Sequence, residues 1–133
     1  MRGGATSVGV MSENPLPSPA RPGVRTDDEL DAADARLREL ARRDGMSAWY
    51  AGLIDGMGWT RPGGRARSPV RHEEMDEDAA PGPDAVAAEI AACDDALSGG
   101  VRPNEPLDWV RGVRAALLWT RGAAPFDPES GPV

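Results

Sequence analysis

The chain has no lysine: all 15 basic residues are arginine, set against 22 acidic ones for a net charge of −7. Arg, Ala, Gly and Pro have GC-rich codons, so this bias speaks of a GC-rich genome and not of mechanism. An acidic balance argues against a protein-wide nucleic-acid footprint, which is basic. The one cysteine, Cys93, rules out an internal disulfide and fits a reducing compartment. The one histidine, His72, has no cysteine or second histidine beside it and gives no metal site. Large aromatic side chains are also scarce, with one Phe, one Tyr and four Trp in 133 residues. Much of the remaining apolar content is alanine, which buries little area per residue. A core this thin often needs a partner.

Long apolar runs are missing too. The longest, near residues 113–119, is interrupted by Arg114 and is too short to span a bilayer. The first residues contain no apolar run of signal-peptide length, although Met11 offers an alternative start to Met1. These absences lead to the expectation of a cytoplasmic protein with no membrane partner. No G-x-G-x-x-G, H-E-x-x-H, C-x-x-C or G-x-S-x-G pattern occurs. The expectation is therefore a non-enzymatic protein with no cofactor and no metal.

What is present is a repeated motif. Residues 49–61 and 109–121 share W-x-x-G-[LV]-x-x-[GA]-[ML]-x-W-T-R. Trp49 pairs with Trp109, Gly52 with Gly112, Trp59 with Trp119, Thr60 with Thr120 and Arg61 with Arg121, at a constant offset of 109 − 49 = 60. Glu29, Ala32, Asp34, Leu37 and Arg42 match Glu89, Ala92, Asp94, Leu97 and Arg102 at the same offset. These ten matches compare with about three expected by chance in so biased a composition. Self-similarity at a fixed period marks one supersecondary unit used twice.

Helix signals define the unit. Thr26-Asp27-Asp28-Glu29 reads as a capping box, and Leu30, Ala33, Leu37 and Leu40 follow at helical spacing. Asp34–Arg38 and Glu39–Arg43 are i,i+4 pairs, and Gly45 suits the helix end. Ser47 is a good N-cap for a second helix through Trp49, Leu53 and Met57, ending at Arg61 before Pro62-Gly63-Gly64. Pro83 opens a third helix with Val86, Ile90, Cys93 and Leu97 on one stripe, stopped by Ser98-Gly99-Gly100. Asn104-Glu105-Pro106 precedes a fourth, which Gly122 ends. The sequence thus predicts an all-α fold of two tandem helical hairpins forming a small four-helix bundle with disordered ends. Its divisions are a disordered arm at 1–25, hairpin repeats at 26–61 and 83–122, a charged Pro- and Gly-rich tether at 62–82, and a loose tail at 123–133. Phe126 alone in the tail has the means to fold back.

Three constellations invite a role. Gly52 and Gly112 each open a small-xxx-small pair inside a helix, where glycine costs roughly 1 kcal/mol relative to alanine. A helix crossing, a covering indole or a ligand groove would each explain them. Asp34 and Asp94 fall inside apolar stripes, so each needs a partner. Arg61 or Trp59 in the first repeat, and Arg121 or Trp119 in the second, are the donors the repeat supplies. A facing pair of carboxylates for acid–base or metal work is the sharper alternative. The four tryptophans are core residues by spacing, but any half-exposed one would anchor an interface. The first functional expectation is a regulatory or accessory protein acting on a protein partner or a second copy of itself. The runner-up is a nucleic-acid-associated regulator using Arg61, Arg65, Arg67 and Arg71, or Arg111, Arg114 and Arg121. An enzyme built on Asp34 and Asp94 comes third.

Overall fold

The computed structural model describes residues 25–61, 67–74, 80–100 and 105–130. It has four helices: α1 (Asp27–Asp44), α2 (Ala48–Trp59), α3 (Pro83–Leu97) and α4 (Leu107–Thr120), followed by a single 3-10 turn at Pro128–Ser130. The described residues contain no strand, only an isolated bridge between Arg67 and Glu74. None of the helices is long and apolar enough to cross a membrane. Most of the expected arm, as well as Arg65, Arg102 and Asn104, lies outside the described residues.

Local chemistry sets the helix ends. The Thr26 hydroxyl accepts from the Glu29 amide at 3.2 Å, and Glu29 accepts from the Thr26 amide at 2.8 Å, so the capping box is closed. The Thr26 amide is also the main reason the Glu29 carboxyl titrates below its ordinary value. Ser47 caps α2 by accepting from the Tyr50 amide at 3.1 Å. Pro83 begins α3, where its missing N–H is no loss. Gly99 and Gly122 take φ of +92° and +80° just beyond α3 and α4, a region that side chains resist. α2 stops at Trp59 and not at Arg61, with Thr60 as its cap. Glu39 pairs with Arg42 at 3.1 Å, while Arg43 turns to Asp44 at 2.8 Å, replacing the expected Glu39–Arg43 pair.

α2 and α4 form the central pair, with α1 packed on α2 and α3 on α4. The core divides into two clusters. The first joins Leu30, Ala33, Leu37 and Leu40 of α1 to Trp49, Tyr50, Leu53 and Met57 of α2, and to Ala116 and Trp119 of α4. The second joins Val86, Ile90, Cys93 and Ala96 of α3 to Trp109, Val110, Val113 and Leu117 of α4, and to Trp59 of α2. Each central helix therefore lends its last tryptophan to the cluster around the other hairpin.

Candidate functional site

The paired glycines sit where α2 and α4 cross. A Cβ at Gly52 would collide with the Trp109 carbonyl, and one at Gly112 with the Trp49 carbonyl. At Gly56 a Cβ would stand 3.0 Å from both the Ala116 Cβ and the Val113 carbonyl. The close approach of two backbones explains the glycines, and no indole or ligand is required. The contacts are reciprocal under the 60-residue offset. The order of buried and part-buried positions is also the same at every step of 49–60 and 109–120.

The tryptophans belong to this core. Trp49, Trp59, Trp109 and Trp119 are only 9%, 1%, 6% and 6% exposed, so none is a half-exposed anchor. Their polar edges differ. The Trp49 indole donates to the Pro128 carbonyl at 2.8 Å, and the Trp109 indole to Asp55 of α2 at 2.9 Å. The buried Trp59 indole N–H has no hydrogen-bond partner among the described residues. Arg25 lies over the Trp119 ring at 5.0 Å.

The aspartates are not tied as the repeat suggests. Asp34 accepts from Arg38 at 2.9 Å within α1, and Asp94 from Arg114 of α4 at 2.6 Å. Arg61 reaches Asp31, one turn before Asp34. Both aspartates lie toward the edge of the stripe, where a long arginine meets them in solvent, and no buried tie is needed. Arg121 makes no ion pair among the described residues and is exposed. Of the other arginines of the supposed basic faces, the described ones are engaged: Arg67 with Glu74, Arg71 with Glu73 and Glu89, Arg111 with Asp108. No cluster of three or more possible metal-ligating side chains occurs among the described residues.

The more informative features lie in the segments after α2 and α4. Residues 67–74, expected as a tether, fold into a turn against α3. Ser68 is buried, its amide donates to the Glu73 carbonyl at 2.9 Å, and its hydroxyl accepts from the Glu73 amide at 2.8 Å. Glu89 of α3 has no exposure at all. Its carboxylate accepts from the amides of Val70 and Arg71 and, at 2.7 Å, from the Arg71 side chain. Such a carboxylate is tolerable in a core because every oxygen is satisfied. The signal was present in the sequence, since Glu89 falls between Val86 and Ile90 on the apolar face.

The tail folds back in the same manner on the other side. Phe126 packs on Trp119 with ring centroids 5.1 Å apart. Pro128 is buried beneath the Trp49 indole. Glu129 bonds Arg36 of α1 at 2.7 Å and lies 3.6 Å from Arg43. Arg43 and the Tyr50 hydroxyl both bond Asp44, which holds the Asp44 carboxyl down at about 2 and pushes the Tyr50 phenol up. The Cys93 thiol is pushed up to about 12, chiefly by burial, so it is an unreactive core residue.

Cavities flank this strap. About 330 Å³ opens beside Pro128 and Glu129, about 290 Å³ beside Phe126, and about 210 Å³ beside Ala124 and Pro125. A separate cleft of about 590 Å³ lies at Thr60, Thr120 and Arg121 against the start of α3. Comparison with protein-family models, curated proteins and solved structures finds no match to this chain.

Proposed function

We propose that this chain is a duplicated helical hairpin that serves as a non-enzymatic accessory or regulatory protein by binding another protein. The duplication is supported by the 60-residue offset, by the reciprocal glycine contacts and by the matched burial of α2 and α4. A hairpin leaves an apolar face uncovered, and a second hairpin covers it. Two hairpins in one chain provide what a dimer of single hairpins would provide.

One observation carries the interaction reading. The groove formed by α1, the start of α2 and the end of α4 holds the chain's own tail, which ends in the 3-10 turn at Pro128–Ser130, and leaves space beside it. Aromatic-lined grooves and arginine clusters that take acidic motifs are both recurring means of peptide recognition. The aspartates and most arginines stand in local ion pairs, which favours neither the carboxylate enzyme nor the nucleic-acid face. The test is parallel capture from the host's extract on the wild-type chain and on Arg36→Glu. A stoichiometric protein held by the first and lost from the second is the expected result. Identical captures, or none, would sink this reading.

A further inference from the structure

We propose that the groove on α1 is a peptide-binding site that the chain's own tail fills in cis. In trans it would take a partner segment with an aromatic residue followed two and three positions later by proline and glutamate. This rests on the interaction reading above and gives that partner a chemistry.

The tail itself shows what the groove accepts. Phe126 sets its ring at 48° to that of Trp119, which Arg25 backs from 5.0 Å. The Pro128 carbonyl takes the Trp49 indole proton at 2.8 Å, and proline at this point removes an amide that would need its own partner. The carboxylate of Glu129 meets two cations, Arg36 and Arg43. The Ala124 carbonyl accepts from Arg25 at 3.2 Å. Aromatic, proline and acid are each recognised by a different helix, so spacing and residue type are both read.

Space remains beside the seated tail. A cavity lies beside the aromatic position, another beside the proline and glutamate, and a third beside Ala124 and Pro125. Larger side chains at these places would fill space that the tail leaves empty. The anchoring acid is half exposed, with side-chain exposures of 50% for Glu129 and 47% for Arg36. Exposed pairs of this kind bind weakly. Tethering keeps such a weak segment in place, because a linked segment acts at millimolar effective concentration. A foreign segment must outcompete it, so the tail sets the threshold for binding.

The experiment uses the full chain, wild-type and Phe126→Ala/Glu129→Ala, and a fluorescent peptide of residues 124–133. Anisotropy gives affinity, and the Trp49 indole N–H resonance reports the site. The double variant is expected to bind the peptide roughly tenfold tighter than the wild type does, since the competing segment is weakened. Binding should restore the Trp49 resonance, and a peptide with alanine at both anchor positions should not bind. If the double variant fails to fold, Glu129→Ala alone, altered only at an exposed pair, carries the same comparison. No peptide binding to a natively folded variant overturns the proposal. Concentration-dependent dimers of the wild-type chain that Glu129→Ala abolishes would assign the groove to a second copy's tail and overturn the foreign partner. A host protein still captured by chain that binds no peptide would overturn this inference alone. Peptide binding without any captured host protein would instead sink the interaction reading alone.

Discussion

The two hairpins are covered by straps that follow the same plan with opposite chemistry. After α2, residues 67–74 lie on α3, where the helix provides the acid, Glu89, and the strap provides the base, Arg71. After α4, residues 123–129 lie on α1, where the helix provides the bases, Arg36 and Arg43, and the strap provides the acid, Glu129. The first pair is buried on its acidic side and joined by two backbone amides. The second is exposed on both sides. A buried, fully satisfied carboxylate is costly to uncover, whereas an exposed ion pair contributes little. The comparison marks the first strap as part of the fold and, on the proposal above, the second as a removable cover.

The largest effect is expected where the halves are most alike. Gly52→Ala and Gly112→Ala should each destabilise by about 3 kcal/mol or more, because each new methyl meets a backbone carbonyl that cannot move aside. Their losses in chemical denaturation should agree closely. Gly58→Ala, whose Cβ meets nothing within 4 Å, should instead gain up to about 1 kcal/mol. A harmless Gly112→Ala beside a damaging Gly52→Ala would break the equivalence of the two helices.

The straps should then separate. Glu89→Ala should cost about 3 kcal/mol, since it strands two amides and leaves Arg71 without its buried partner. Glu129→Ala should cost less than about 1 kcal/mol. Urea melts of the two variants check this, and equal losses would contradict the division into permanent and removable covers.

A smaller effect is expected from pH on the α1 side. Asp44 titrates at about 2 in the folded chain, held down first by Arg43 and then by Tyr50. Its unfolded value is near 3.9. Between these values the unfolded chain binds more protons, so this contribution is complete above about pH 4 and disappears as pH falls toward 2. Melting temperature should therefore fall less steeply with acid in Asp44→Asn than in the wild type over that window. Parallel curves would show that Asp44 contributes nothing.

Much of this fold was legible in the sequence, and the reasons are local. Thr26, Ser47, Pro83 and Gly122 mark helix ends because caps and left-handed turns demand particular residue types. The crossing of α2 and α4 was among the readings of the repeated glycines because glycine inside a helix needs a reason. Periodicity gives a face but not a neighbour, and that is why Asp34 and Asp94 misled. Arg38 lies one turn from Asp34, and Arg114 stands where the first copy has Ile54, so the two ties cannot be equivalent. The straps were hidden for a different reason. They carry no periodic signal, and their anchors join residues as distant as Trp49 and Pro128. Phe126 alone was visible, as a residue with the means to fold back, whereas Glu89 was missed although an acid beside Val86 and Ile90 called for a partner.

The most direct test of the removable cover is native-state hydrogen exchange followed at two places in one sample. The Val70 and Arg71 amides, both bonded to Glu89, report the first strap. The Trp49 indole N–H, bonded to the Pro128 carbonyl, reports the second. Local openings span the range from nearly free to the full cost of global unfolding. The two amides should exchange only through large openings. The indole should exchange with a protection factor at least roughly tenfold lower, and nearly independent of mild denaturant. Equal protection at both places, rising and falling together with global stability, would show that the tail is as integral as the first strap and would contradict the account.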